Sequence, residues 1–210
     1  MSVILYFVSF MMVIPIAIGF GKSIYKVSNY KSVFWLLMIS LIIEIVTLFL
    51  MKRNINTLII FNCFTVLEFV FLFSFYSNFV DSVRKTQLNK IILLVFLLIA
   101  VIDLFFINGF KRVNTLTVSI ESITLIIYSL FSFYLIMSRM LFENLLQAPF
   151  FWINIAVLFY FSGSLFLFLF GNYLISQGNK AYMEMYKIHT FVNAIWYLFI
   201  SIGFWKVKKA

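Results

Sequence analysis

The chain has 210 residues, of which 64% are hydrophobic and only 11% are charged, whereas soluble domains carry about 25% charged residues. This composition excludes a soluble globular protein and predicts an all-α polytopic membrane protein embedded in a lipid bilayer. The net charge of +9 does not indicate nucleic-acid binding, because the lysines and arginines lie in short loops, and the single Cys63 allows no internal disulfide.

Seven apolar runs follow one another along the chain, each near the roughly 20 residues that a membrane-spanning helix needs. No Lys or Arg precedes the first run and lysines follow it, which is the reverse of a signal peptide and predicts a retained span. No loop exceeds about a dozen residues, so a single membrane domain over 1–210 is expected. The predicted spans are 3–20, 33–51, 57–80, 91–108, 115–137, 150–173 and 186–205.

The loops differ in positive charge, and this difference predicts the orientation. Ten Lys and Arg residues lie after the first, third and fifth predicted spans or at the C-terminus, and six lie in the loops of the opposite side. Positive residues accumulate on the cytoplasmic side of membrane proteins. The sequence therefore predicts a seven-helix bundle with its N-terminus outside and its C-terminus inside, which agrees with an odd number of spans.

Four carboxylates interrupt the predicted spans: Glu44, Glu68, Asp103 and Glu121. A charge near the centre of a bilayer costs at least about 2.5–3.5 kcal/mol, so such a residue usually faces the bundle interior and has a partner or a function. Helical spacing gives three of the four carboxylates polar neighbours on the same helix face. Glu44 and Glu68 fall near the middle of their spans, whereas most other buried polar residues fall in the outer half.

This distribution predicts a polar pocket that opens to the outside and is closed toward the cytoplasm. It argues against a channel or an ion-coupled transporter, which needs polar groups along the whole path. The alternative is that these groups only bond the helices to one another, as single buried Glu and Asn residues often do. The residues predicted to line the pocket are Glu44, Asn62, Glu68, Asp103, Glu121, His189, Asn193 and Trp196.

No catalytic residue, metal site or cofactor is predicted. Ser162 and His189 lie on consecutive predicted helices, as in intramembrane serine proteases, but the usual Gly-x-Ser-Gly motif is broken and the two residues would differ by roughly 10 Å in depth. One histidine is too few for a zinc hydrolase. Gly163 and Gly171 are predicted to let another helix approach the sixth helix closely.

Four motifs together carry a resemblance to a known group of proteins. They are Thr-Val-Leu-Glu-Phe at 65–69, Glu121-Ser122, the Pro-x-Phe-Trp-Ile-Asn…Tyr-Phe-Ser-Gly block that begins at Pro149, and His189…Asn193. With these motifs the chain resembles, over nearly its whole length, small stand-alone seven-helix membrane proteins of Bacteroidota-type bacteria. The resemblance implies a location in the bacterial inner (cytoplasmic) membrane and no particular activity. The seven-helix plan is also similar to the membrane sensor regions that precede bacterial kinases and cyclases.

The sequence thus predicts a receptor-like membrane protein that binds a small polar or amphiphilic ligand in an outward-facing pocket and passes the result to a separate signalling protein. The first alternative is a lipid-modifying enzyme or hydrolase at the outer leaflet, with a carboxylate or His189 as the acid or base. The second alternative is a small-solute transporter. The expected partners are the lipid bilayer, a small-molecule or lipid ligand and a signalling protein, and not nucleic acid.

Overall fold

The computed structural model describes residues 2–53, 55–83, 87–109, 112–170, 173 and 176–208, and these residues form helices joined by turns, with no strand among them. Seven α-helices run through the described ranges. They are α1 (Ser2–Gly21), α2 (Lys31–Lys52), α3 (Leu58–Val83), α4 (Leu88–Ile102), α5 (Thr115–Ser138), α6 (Pro149–Leu169) and α7 (Asn179–Lys206). A π-helical segment, Asp103–Ile107, continues α4.

The helices confirm the all-α prediction, and several of them are apolar enough for a bilayer. The stretches long enough to cross a membrane are Lys31–Lys52, Leu58–Val80, Leu88–Ile107, Thr115–Ser138 and Lys187–Lys206. Two shorter apolar stretches, Phe10–Gly21 and Pro149–Leu165, belong to α1 and α6. The number of seven spans and their orientation stay predictions. Helix α7 begins earlier than predicted because its first turns are polar, and a search for apolar runs does not detect a polar helical turn.

Two hydrogen bonds join three chain segments at one end of the bundle. Lys22 Nζ donates to the carbonyl oxygen of Val207 over 3.1 Å, which links the turn after α1 to the end of α7. Lys206 Nζ donates to Gln147 Oε1 over 3.0 Å, which links the end of α7 to the segment before α6. This end carries lysines that the charge bias assigns to the cytoplasmic side.

Two glycines, Gly203 and Gly163, lie where α6 and α7 pack closely. Helix α6 packs between α5 and α7, and α7 also packs against α1. A Cβ at Gly203 of α7 would lie 2.8 Å from Ile153 Cγ1 and 3.2 Å from the carbonyl oxygen of Pro149, so a larger residue would force α6 and α7 apart. A Cβ at Gly163 would lie 3.2 Å from a side-chain carbon of α7, which agrees with its predicted packing role. Gly171 lies outside the described residues.

Helix α4 shows how the outer surface of the bundle differs from that of a soluble protein. Its Phe96 is buried and stacks on Phe69 of α3, with ring centroids 3.7 Å apart. Leu94 and Leu98 point away from the bundle and are more than half exposed. A soluble helix would place polar residues on that face. The apolar outer face instead suits contact with lipid acyl chains.

Candidate functional site

Asn62 fastens α3 to the turn that precedes α5. Its Nδ2 donates to the carbonyl oxygen of Arg112 over 2.9 Å, and its Oδ1 accepts a hydrogen bond from the backbone N–H of Asn114 over 3.2 Å. The side chain is buried. Asn62 lies six residues before Glu68, or about 9 Å along α3, toward the outer side in the predicted orientation. The structure therefore gives this predicted pocket residue a bonding role between two chain segments.

Asp103 caps the N-terminus of α5 from the end of α4. Its Oδ2 accepts hydrogen bonds from the backbone N–H and from Oγ1 of Thr117, both over 2.8 Å, and its Oδ1 accepts one from Asn108 Nδ2 over 2.6 Å. Thr117 lies in the first turn of α5, where N–H groups have no partner within the helix. A carboxylate at this position also interacts favourably with the positive end of the helix dipole. Capping therefore accounts for the burial of Asp103.

Tyr76, Asn154 and Ser129 form a hydrogen-bonded layer across α3, α6 and α5, which we call the inner layer. Tyr76 Oη donates to Asn154 Oδ1 over 2.6 Å, and Asn154 Nδ2 donates to the carbonyl oxygen of Ser129 over 3.1 Å. Ser129 Oγ donates to the carbonyl oxygen of Asn154 over 3.2 Å. All three residues are buried. The layer satisfies its polar groups with one another and joins three helices.

Glu68 and Glu121 lie at one level of the bundle. Glu68 is eight residues before Tyr76 on α3, and Glu121 is eight residues before Ser129 on α5, so each lies about 12 Å along its helix from the inner layer. Their carboxyl groups are close enough to interact electrostatically. The sequence placed Glu121 nearer the outer surface than Glu68. Glu68 and Glu121 lie at the same level because α3 begins nearer the predicted outer surface than α5 does. Asn62 lies inside α3, yet it bonds to residues that precede the start of α5.

Tyr160 of α6 and Tyr197 of α7 lie beside these carboxylates, although neither was among the residues predicted to line the pocket. The Tyr160 hydroxyl lies near Glu68, Glu121 and the Tyr197 hydroxyl. The Tyr197 hydroxyl lies near Glu68 and also near Glu44. Glu68 and the two tyrosines thus connect residues of α2, α3, α5, α6 and α7. We call these five residues the carboxylate centre.

The other predicted site residues of α7 lie beside Tyr160. The ring of Trp196 packs against that of Tyr160, with centroids 5.1 Å apart and planes at 42°. The ring of His189 lies 6.0 Å from the same tyrosine ring. Trp196 is buried, whereas His189 and Asn193 are half-buried. Because residues 189, 193 and 196 share one face of a helix, they form a line that leads along α7 to the carboxylate centre.

The carboxylate centre has no lysine or arginine at its depth. The sequence holds none in 32–51, 54–83, 113–138, 140–179 or 188–205. Glu121 is only 2% exposed, and its Oε1 has no hydrogen-bond partner in the described part of the chain. The ion pair between Lys187 and Glu184, 2.7 Å long, is exposed and lies in the early turns of α7. The helix segments around Glu68 and Glu121 therefore supply no lysine or arginine at that depth.

The arrangement does not resemble a metal centre or a nucleophile. Within the described ranges, no three His, Cys, Asp or Glu residues are placed to hold a metal ion. Ser162 is exposed, and its Oγ donates to the carbonyl oxygen of Leu158 over 2.6 Å, which is the usual bond of a serine to its own helix. A catalytic serine instead needs a base within hydrogen-bond distance.

A cavity of about 260 Å³ lies apart from the carboxylate centre, between α3, α4 and α5. Its polar lining consists of Asn89 and Tyr128, and Tyr128 Oη donates to Asn89 Oδ1 over 2.7 Å. Its other lining residues are apolar, and Leu88 and Ile127 among them are more than half exposed on the outer face. Because Tyr128 neighbours Ser129, this cavity lies beside the inner layer.

Comparison of the chain with protein-family models, with curated proteins and with solved structures gives no match. The class of the protein follows from its own fold: the described residues form an all-helical protein whose long apolar helices are those of a membrane-embedded protein. Its distinguishing internal feature is the carboxylate centre. Asn62 and Asp103, with their hydrogen-bond partners, lie on one side of the centre, and the inner layer lies on the other.

Proposed function

We propose that the protein is a seven-span, receptor-like protein of a bacterial inner membrane that binds a small polar or amphiphilic ligand at the carboxylate centre. The observation that carries this proposal is the placement of Glu68 and Glu121 at one level of the bundle, beside the buried Tyr160 and Tyr197. Ionisable residues inside a membrane protein usually mark a functional site. Aromatic walls with a few convergent polar groups are also the common composition of small-ligand sites.

The two sides of the carboxylate centre differ, and this difference favours binding over transport. Toward the predicted cytoplasmic side, the inner layer of Tyr76, Asn154 and Ser129 bonds α3, α5 and α6 together. Toward the predicted outer side, half-buried His189 and Asn193 would line an entry along α7. A transporter must open a path on both sides of its site. The output of a receptor of this kind would pass to a separate signalling protein.

The predicted orientation can be tested with two introduced cysteines. Ser28 lies exposed in the turn after α1, and Asn56 lies exposed before α3. In a Cys63→Ser background, Asn56→Cys should react with a membrane-impermeant maleimide in intact spheroplasts, and Ser28→Cys should react only after the membrane is permeabilised. Labelling in the opposite order would show that the centre opens toward the cytoplasm.

Ligand binding can be tested by mass spectrometry of small molecules released from the purified protein. Glu68→Gln and Glu121→Gln each remove one carboxylate from the centre, and Glu143→Gln removes an exposed one from the segment between α5 and α6 as a matched control. We expect a molecule that co-purifies with the wild type and with Glu143→Gln and is lost from the two centre variants. Circular dichroism should show that all variants retain their helices.

Three results would contradict the proposal. If Glu68→Gln and Glu121→Gln lower thermal stability and no bound molecule is found, the carboxylates only bond the helices together. Uptake of a solute into proteoliposomes that depends on Glu121 would make the protein a transporter. Turnover of a lipid that depends on Glu68 would make it an enzyme.

A further inference from the structure

We propose that the cavity between α3, α4 and α5 holds one acyl chain of an anionic phospholipid on the predicted cytoplasmic side, with the lipid headgroup beside Lys90. This site is separate from the carboxylate centre and does not depend on the function proposed for that centre. Three features carry the proposal: the place where the cavity opens, the composition of its wall and the charge at its mouth.

The cavity opens onto the apolar outer face of the bundle. Leu88 of α4 and Ile127 of α5 line it and are 61% and 58% exposed, so the cavity reaches the outer surface at these two side chains. Ile91 and Leu130 are also more than half exposed and continue the apolar surface along both helices. In a membrane-embedded protein such a face contacts lipid. The molecules that meet the mouth of the cavity are therefore lipid chains.

The wall of the cavity suits a hydrocarbon chain better than it suits water. A buried water molecule needs two to four polar partners. Five of the seven lining residues are apolar, and the other two, Asn89 and Tyr128, already bond to each other over 2.7 Å. The volume of about 260 Å³ exceeds the roughly 150 Å³ at which an apolar protein cavity accepts benzene. A chain that enters the cavity gains packing contacts that an empty cavity lacks.

Asn89 and Tyr128 lie at a depth that suits the ester groups of a lipid. The apolar stretch Leu88–Ile107 has 20 residues, which is the length that crosses a bilayer. Asn89 is the second residue of this stretch, so it lies where the hydrocarbon layer ends. Residues with an apolar body and a polar tip, such as tyrosine, are favoured at this interface. A lipid whose chain fills the cavity therefore has its headgroup at the start of α4.

The charge at the start of α4 favours an anionic headgroup. Lys90 is exposed and directly follows Asn89. Among the described side chains, no carboxylate forms an ion pair with Lys90. In the sequence, positions 81–90 hold three basic residues and one acidic residue. Basic residues at the cytoplasmic ends of membrane helices attract anionic headgroups, so Lys90 provides the preference that the apolar cavity alone does not.

The test is a lipid titration of the purified protein in non-ionic detergent, in which native mass spectrometry measures the first bound lipid. Dioleoyl phosphatidylglycerol and dioleoyl phosphatidylcholine share their chains and differ in headgroup charge, and glycerophosphoglycerol provides the anionic headgroup without chains. We expect phosphatidylglycerol to bind about fivefold more tightly than phosphatidylcholine, and glycerophosphoglycerol not to bind. Lys90→Gln should remove this preference. Lys31→Gln, which alters an exposed lysine at the start of α2, should keep it.

Ile127→Trp tests the cavity itself, because the larger ring would block its mouth. It should weaken the binding of both lipids at least about threefold, through the loss of packing contacts in the cavity. Ile123→Trp, one turn earlier on the exposed side of α5, is the matched control and should not weaken binding. Leu88→Trp blocks the mouth from α4 and provides a second variant with the same expected loss, in case Ile127→Trp does not fold.

Several results would overturn the proposal. Equal binding of the two lipids, or a preference that persists in Lys90→Gln, would show that Lys90 does not select an anionic headgroup. Equal lipid binding by Ile127→Trp and Ile123→Trp would show that no chain enters the cavity. Binding of glycerophosphoglycerol as tight as that of the whole lipid would reduce the site to a phosphate site on the surface. If Ile127→Trp instead dissociates a dimer and keeps its lipid, a second copy of the chain covers the mouth.

Discussion

Replacement of Asn154 by Leu tests whether the hydrogen bonds of the inner layer stabilise the bundle. Asn154 is fully buried, and its side chain accepts a hydrogen bond from Tyr76 and donates one to Ser129. Leu has a similar size but neither polar group. A hydrogen bond between membrane helices contributes about 0.6 kcal/mol on average and at most about 1.7 kcal/mol. The loss of two such bonds should therefore lower the free energy of unfolding by about 1–3 kcal/mol.

A double-mutant cycle separates the bond to Tyr76 from the other effects of the substitution. Tyr76→Phe removes only the hydroxyl, and we expect it to cost about 0.6–1.7 kcal/mol. In the Asn154→Leu background the same change should cost nearly nothing, because the hydroxyl has already lost its acceptor. The coupling energy should then equal the cost of the single Tyr76→Phe change. Tyr134→Phe, which alters a largely exposed tyrosine of α5, should change the unfolding free energy by less than about 0.5 kcal/mol.

The assay is equilibrium unfolding by sodium dodecyl sulfate in dodecyl maltoside micelles, followed by tryptophan fluorescence. Mass spectrometry of molecules that co-purify with the same variants provides the functional comparison, since the inner layer lies about 12 Å from the carboxylate centre. A coupling energy within about 0.3 kcal/mol of zero would refute a shared bond between Tyr76 and Asn154. An equal cost for Tyr134→Phe would show that the loss does not depend on the layer.

Two further changes test the packing and the cap. Gly203→Ala should lower the free energy of unfolding by about 1–3 kcal/mol in the same assay, because its Cβ would lie 2.8 Å from Ile153 Cγ1. Gly21→Ala is the control and should not destabilise the protein, because its Cβ would meet no atom within 4 Å. Asp103→Asn should cost about 1.5–3 kcal/mol, because it weakens charge-assisted bonds to the start of α5, and Thr117→Val should cost less because the backbone N–H of Thr117 keeps its acceptor. Equal costs for Gly203→Ala and Gly21→Ala, or no cost for Asp103→Asn, would contradict these assignments.

The sequence predicted the helices well because long apolar runs leave few other structures in a bilayer. It could not predict which polar residues meet, because each lies on a different helix and depends on how far one helix is shifted along another. Asp103 illustrates this limit: it has no polar neighbour on its own helix, and its partner Thr117 lies at the start of the next one. Asn62 likewise pairs with backbone groups about fifty residues away.

Tyr160 and Tyr197 escaped the sequence-based prediction for a different reason. A tyrosine ring is apolar enough to count as part of a membrane span, so its hydroxyl does not interrupt the hydrophobic pattern. Only the arrangement of α6 and α7 in the bundle brings these hydroxyls near Glu68. Trp196 was predicted to line the pocket from its spacing to Asn193 and His189. Tyr197 lies four residues after Asn193, so the same spacing could have predicted that it lies near the pocket.

The contrast between Asp103 and Glu121 explains why burial alone does not identify a site. Both are buried carboxylates, but Asp103 accepts three hydrogen bonds from its own chain, whereas one oxygen of Glu121 has no such bond from the described residues. Asn62 and Asn154 also join helices, and as amides they carry no charge into the bilayer. A carboxylate at that depth is costlier than an amide. A ligand with a hydrogen-bond donor would give Glu121 the kind of partner that the chain supplies to Asp103.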